Sequence, residues 1–190
     1  MPLQVFLNDI LLIMKTHRPY ELVEYDPRWK DHYLEVKERI IPLLGDNLIS
    51  VEHVGSTSIE GMLAKPQVDI LVVVKDLSLI RSSYEAFKAR GLVPQGTDYV
   101  GIGDEYFTEE EPDGKRITSI HIFQEGNPKI FDNTIVRDYL KENIEDKELY
   151  IETKRKLYSL YKDDYESYKT GKKEVVDAIE ARAKKWAETR

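Results

Sequence analysis

The 190-residue chain contains no cysteine, which removes disulfides, thiolate nucleophiles and zinc–thiolate sites at once. It has no long apolar run either. The best candidate, within residues 3–14, falls short of the roughly 20 residues a spanning helix needs. That segment also lacks the basic flank and the cleavage site of a secretory signal. An intracellular, cytoplasmic protein with no membrane partner is the expectation. No GxxxxGK[ST] or GxGxxG run is present, which excludes P-loop and Rossmann readings. Internal repeats, low-complexity tracts and flexible linkers are missing too.

A basic surplus is equally absent. The 28 basic and 35 acidic side chains give a net charge of −7. Residues 141–190 hold 13 of the basic and 12 of the acidic groups, leaving 15 and 23, a balance of −8, on residues 1–140. A surface of that sign repels an extended nucleic-acid backbone, whereas a free nucleotide is far less excluded. With 41% hydrophobic and 33% charged residues, the composition is that of a globular chain able to bury a real core.

What is present centres on residues 51–74, VEHVGSTSIEGMLAKPQVDILVVV. An apolar segment over 48–54 ends at Gly55 and Ser56, small polar residues follow, and a second apolar run fills 68–74. The pattern predicts strand, tight turn, short helix, strand. Glycine after a strand lets the backbone take φ > 0 or approach a ligand closely. Ser56, Thr57 and Ser58 are good helix N-caps, so the turn is suited to an anion. Asp69 interrupts a run that reads as a central strand, where a carboxylate is costly unless it sits at the strand end, paired or on a metal. A phosphate-holding turn beside a metal-holding Asp describes a nucleotide site.

Around this unit the periodicity predicts an α+β domain over residues 20–190, preceded by an arm over 1–19. Met14-Lys15 reads as a natural start, which leaves the first residues as an appended segment or an amphipathic arm. Residues 20–25 read as a short strand. A helix follows, capped by Asp26 with Pro27 in its first turn and ended by Pro42 and Gly45, its buried face marked by Trp29, Tyr33, Val36, Ile40 and Ile41. Residues 77–90 read as a helix closed by Gly91. Extended segments over 92–100 and 104–108 lead to a Glu111-Pro112-Asp113-Gly114 turn. Residues 117–123 return as the second arm of that hairpin. From 131 onward the chain reads as helical, over 131–143, 146–161 and 165–186, with a kink at Gly171. The acidic group Asp104, Glu105, Glu109, Glu110, Glu111 and Asp113 reads as a solvated hairpin tip, since its spacing matches no calcium loop.

Gly55-Ser56, twelve residues and then Asp69-Ile70-Leu71-Val72 resembles the signature of the polymerase-beta-type nucleotidyltransferases. More narrowly, EHVGSTSIEGMLAKPQVDI is similar to the hallmark of the GrpB-like family. VEYDPRW at 23–29, SIHIF at 119–123, VRDYL at 136–140 and YIETK at 150–154 extend the likeness in order, so that it covers about residues 20–186. The resemblance implies a nucleotidyltransferase-like mixed β-sheet flanked by helices, with a helical C-terminal region over 131–190. It implies a nucleoside triphosphate with Mg²⁺ as ligands, and no established reaction or acceptor. In that reading Gly55, Ser56 and Thr57 cradle phosphates, Asp69 holds the metal and Lys65 neutralises charge.

One position departs from the pattern. The second carboxylate of Asp-x-Asp falls on Leu71, and two-metal transfer needs carboxylates on both ions. Glu52, Glu105 and His121 are the candidates to replace it, each near the same sheet edge, with His121 also a candidate catalytic group. His53, just before the turn, and Arg137, able to clamp a phosphate bidentately, complete the candidate set. Each has a structural alternative. Asp69 fits an ion pair with Lys65 or Arg137; His121 and His53 fit hydrogen-bonded core residues; Arg137 fits a salt bridge to Asp69 or Glu52. Two functions follow: a metal-dependent nucleotidyltransferase, or a catalytically inactive module that binds a nucleotide or another phosphorylated ligand.

Overall fold

The middle of the molecule is the strand Val68–Val74, six of whose seven residues are buried. Burial on both faces explains why it reads as a continuous β-branched run instead of an alternating one. In the computed structural model, which describes residues 20–97 and 103–190, this strand (β2) pairs antiparallel with Leu48–Val54 (β1). On its other side it pairs parallel with Arg116–Gln124 (β5). Beyond β5 lie Asp104–Glu110 (β4) and Val93–Thr97 (β3), both antiparallel, giving the order β1-β2-β5-β4-β3.

Side chains alternate across this sheet, and each face has its own cover. On one face Ile70, Val72, Val74, Ile120, Ile122 and Phe107 pack against the helix Arg28–Leu44 (α1) through Trp29, Val36, Ile40 and Leu44. Ile80 and Phe87, from the connection between β2 and β3, complete that core. On the other face Val54, Leu71, Val73 and Phe123 meet Ile130 of the helix Pro128–Glu142 (α3). A third cluster, including Ile59, Met62, Tyr139, Leu140, Ile179 and Ala183, joins α3 to the C-terminal helix Lys173–Ala187 (α6). The helices Ile144–Leu160 (α4) and Tyr165–Gly171 (α5) stand between them in sequence. No helix among the described residues is long and apolar enough to cross a membrane.

Several local expectations are corrected. Residues 20–25 form a single bridge, Val23 to Ala64, not a strand. Helix α1 runs through Pro42 to Leu44, because Pro42 and Glu38, whose carbonyl loses its partner, are both exposed to solvent. Ile41 lies 38% exposed, out of phase with the buried 29–36–40–44 stripe. Residues 77–90 split into a 3₁₀ segment, Leu77–Ser83, and a short helix, Tyr84–Lys88 (α2). Serines at 78, 82 and 83 weaken a regular helix there, with Ser82 Oγ bonding back to the Leu79 carbonyl at 2.7 Å. The break at Gly171 is present: α5 ends on it and α6 begins at Lys173. The acidic hairpin group divides, because Asp104 and Glu105 are buried while Glu110, Glu111 and Asp113 are exposed. The arm over 1–19 and residues 98–102 lie outside the described residues.

His53 illustrates how the sheet sorts side chains. It sits on the α1 face of β1, stacked on Tyr33 with ring centroids 5.0 Å apart, and its Nε2 lies 3.0 Å from Thr57 Oγ1. Burial, then the charges of Lys141, Arg137 and His32, push its pKa down from 6.5 to about 4. Below pH 6.5 the unfolded chain takes up a proton that folded His53 refuses until about pH 4. This group therefore makes stability fall as pH drops through that window, by up to about 3 kcal/mol. Urea unfolding of the parent and His53→Gln at about pH 7 and about pH 4.5 checks this. The parent should lose more stability on acidification than the variant; equal losses would remove His53 as the cause.

Candidate functional site

Gly55 follows β1 with φ +69° and ψ −173°, a conformation that side-chain-bearing residues rarely adopt. The closeness of Asp69 demands glycine a second time. A Cβ at position 55 would lie 2.5 Å from Asp69 Oδ2. Because Val54 pairs directly with Asp69, the turn folds down onto that carboxylate. One 3₁₀ turn, Ser56–Ser58, follows, held by Ser58 Oγ donating to the Gly55 carbonyl at 2.6 Å. Thr57 is buried inside the turn beside His53.

The helical half reaches into this turn through Lys154, a lysine only 2% exposed. Its Nζ donates to Ser56 Oγ at 2.6 Å and to the Leu63 carbonyl at 2.7 Å, and lies 4.1 Å from the centre of the Tyr150 ring. Two more lysines converge. Lys65 Nζ donates to the Tyr165 hydroxyl at 2.7 Å, and Lys172 Nζ lies 4.7 Å from the centre of the Tyr168 ring. The ammonium of each interacts with the other two or with Asp69.

Asp69 is anchored from below. Gln67 Nε2 donates to Asp69 Oδ1 at 3.2 Å and to Ser119 Oγ at 2.8 Å. Ser119 Oγ lies 2.9 Å from the Tyr106 hydroxyl, which accepts from Arg116 Nη1 at 2.8 Å. Desolvation pushes the Asp69 carboxyl up, against the opposing pull of Lys65, His121, Gln67 and Lys172. Burial and then the Lys65 charge bring Lys172 down to about 8, with Asp69 acting the other way. Burial, then Lys172, holds Lys154 well below the usual lysine range. These shifts describe cations crowded into a poorly solvated place, a condition that an anion relieves. Beside it, sharing Lys65 and Gln67, opens a cavity of about 400 Å³ also lined by Tyr20, Pro66, Arg116 and Tyr165.

The other sequence-derived candidates are distributed by the period of two. Glu105 faces the α1 side, 2% exposed and bonded to Arg81 and Tyr84, so it points away from Asp69. Glu52 is on the Asp69 face but pairs with Arg137 at 2.9 Å. Arg137 also binds Asp138 and the His53 carbonyl, tying α3 to β1. His53 lies on the opposite face, as described. His121 shares the Asp69 face; its Nδ1 bonds to buried Asp104, and its ring stacks on Tyr106 at 4.5 Å. The second carboxylate of the pattern would fall on Leu71, 1% exposed in the core, while Ser119 is the register partner of Asp69 on β5. Among the described residues no three His, Asp or Glu side chains gather where they could hold a metal ion. The donor set does not fit a two-metal centre.

Sequence reading singled out Lys65 and passed over Lys154 and Lys172. A signal for Lys154 existed: it falls four residues after Tyr150, on the apolar stripe of its helix, where a solvated lysine does not belong. Lys172 carries no such mark, since its place depends on the break after Gly171.

Leu71 offers a direct check. Leu71→Asp would rebuild the two-carboxylate pattern, yet the side chain would enter the dry cluster of Val54, Val73, Phe123 and Ile130. It should cost roughly 3–5 kcal/mol of stability. Chemical unfolding measures this; a variant as stable as the parent would show that this face tolerates the second carboxylate.

Comparison with known proteins agrees with this geometry. A family model described as GrpB protein matches residues 19–182. UPF0157 protein YqkA of Bacillus subtilis (strain 168) is 32% identical over 173 residues, which are 91% of this chain and 50% of that protein. The chain thus spans half the length of that relative. The crystal structure of conserved protein GrpB from Enterococcus faecalis superposes with a TM-score of 0.81 at 29% identity, covering 87% of this chain and 99% of that one. A structure of the Cid1 poly(U) polymerase with MgGTP bound has a TM-score of 0.52 at 14% identity, over 83% of this chain and 48% of its own. That likeness speaks for the fold alone. With its Gly55-Ser56 turn seated on Asp69, and a matched region running nearly end to end, the chain belongs to the GrpB family and has a nucleotidyltransferase-like fold.

Proposed function

We propose that the chain binds a small phosphorylated ligand, a nucleoside triphosphate or a related phosphate ester, in the cleft over Gly55, Ser56 and Asp69. One observation carries the reading. In a chain of net charge −7, Lys65, Lys154 and Lys172 converge on one turn and one carboxylate, two of them with strongly depressed pKa values. Holding like charges together in a desolvated place is costly, and a bound phosphate repays that cost. The adjoining cavity, of about 400 Å³ and edged by Tyr20 and Tyr165, is within the size range of small-ligand pockets. It suits the organic part of such a ligand. The nucleotide seen in the Cid1 structure, which shares the fold, supports a nucleotide as the first class to try.

Nucleotidyl transfer is the second reading, favoured by Asp69 at the strand end beside a Gly-Ser turn. It needs a second carboxylate, which Leu71 does not supply. Binding without transfer is therefore the stronger reading, with extended nucleic acid disfavoured by the acidic surplus on residues 1–140.

Thermal unfolding with ATP, CTP, GTP, UTP and pyrophosphate tests it. A ligand at about 100 times its dissociation constant adds roughly 2.7 kcal/mol. At least one should raise the transition, and Ser56→Ala or Lys172→Met should shrink the rise. Lys172, facing Lys65, Lys154, Lys169 and Asp69, is charged below about pH 8 and loses its proton above it. Between about pH 7 and pH 9 phosphate oxygens, with a second pKa near 6, stay ionised. Affinity should therefore fall as pH rises, by roughly tenfold if one charge-assisted hydrogen bond is lost. No shift with any of these ligands would sink the proposal.

A further inference from the structure

Nucleotidyltransferase-like folds lead one to expect divalent metal ions between the two strand ends, and this cleft is built against them. We infer that the three lysines replace the metal: the cleft takes its phosphorylated ligand without a divalent cation, and Asp69 is a counter-charge to the lysines instead of the ligand of an ion. The inference rests on the phosphate-binding reading above and deepens it by naming the ligand form, a metal-free phosphate anion.

Three observations carry it. The first is the space between β2 and β5. A cation shared by the two strand ends would sit between position 69 and its register partner Ser119. That gap is spanned by the amide of Gln67, which donates to Asp69 Oδ1 and to Ser119 Oγ. An N–H donor aimed into the space is the opposite of what a cation requires. The second is the other oxygen of Asp69, which is pressed toward Gly55 so closely that a Cβ there would meet it at 2.5 Å. Mg²⁺ demands near-octahedral oxygen ligation at about 2.0–2.1 Å and keeps several waters. One oxygen accepts from Gln67 and the other faces Gly55, and among the described residues Asp69 has no two His, Asp or Glu partners with which to share such an ion.

The third is charge. Lys154 is fixed on Ser56 Oγ, so it already stands where a phosphate cradled by the turn would lie. Lys65 and Lys172 both act on Asp69. Three lysines stand around one carboxylate, the reverse of a metal centre, in which several carboxylates surround the ion. A dication arriving among these lysines meets repulsion and a single carboxylate. A phosphate dianion arriving alone meets the basic side of this turn, with Lys154 already bonded to Ser56 Oγ.

The experiment is isothermal titration of pyrophosphate and of ATP into the parent, Asp69→Asn and Lys172→Met, each in EDTA and in excess Mg²⁺. The inference predicts full binding in EDTA, with affinity equal or higher than in Mg²⁺, since the ion neutralises the ligand. Asp69→Asn removes a repelling carboxylate and should tighten binding severalfold, while Lys172→Met weakens it by roughly tenfold. Circular dichroism and unfolding confirm that each variant is folded. Binding that appears only with Mg²⁺ and vanishes in Asp69→Asn overturns the metal-free site while leaving the phosphate-binding reading intact. Loss of binding in Asp69→Asn under EDTA overturns the counter-charge role given to Asp69. No heat with either ligand in either condition overturns the phosphate-binding reading itself.

Discussion

The buried ammonium of Lys154 is the constraint on which the rest of this molecule depends. A lysine that is 2% exposed has to find hydrogen-bond acceptors inside the protein, and it finds them 98 residues away on Ser56 and 91 away on Leu63. Both acceptors lie in the segment linking β1 to β2. The seating of the helical half and the shape of the Gly-Ser turn are therefore one arrangement. Tyr150 caps the amine from the same helix, and burial, opposed by a hydrogen bond with Ser56 and aided by Asp69, pushes its own hydroxyl pKa up to about 12. Loosening α4 would expose the turn; opening the turn would strand a buried charge.

The sheet supplies the second layer of control. Alternation sends Glu105 and Glu109 to the α1 side, where Glu109 is held by Arg39 at 2.7 Å and 2.9 Å and by Thr118 at 2.9 Å. Asp69, Ser119, His121 and Asp104 go to the other side with Leu71 and Phe123. Carboxylates that look clustered along the sequence are thereby divided between two environments. What remains beside the turn is one Asp and a set of lysines. The reading of this cleft as an anion site follows from that division, not from any single residue.

Much of the fold was legible because its strongest signals are local. The apolar runs over 48–54 and 68–74, the Gly-Ser pair between them and the Glu111–Gly114 turn needed no distant contact to be read. The helices of the C-terminal half followed from their period, and Gly171 marked their break. Failures came where packing overrides local pattern. Residues 20–25 alternate like a strand but find only Ala64 to pair with. Glu105 was read as a neighbour of Asp69 because it is near the same edge; a one-residue difference in phase put it on the opposite face. Lys154 shows in the sequence only as a lysine on an apolar stripe and Lys172 not at all, since their meaning comes from helices folding back over a turn about a hundred residues earlier. Lys65 is the one of the three close to the turn in sequence.

The central claim is that crowded, partly deprotonated lysines wait for an anion to restore their charge. Its most direct measurement is the number of protons exchanged when ATP, whose phosphates are fully ionised there, binds, taken from titrations at about pH 8 in buffers of different ionisation enthalpy. At that pH Lys172 is near its midpoint, so binding should draw protons from the buffer, and Lys172→Met should take up fewer. Binding with no linked protons, or with net release, would contradict the account.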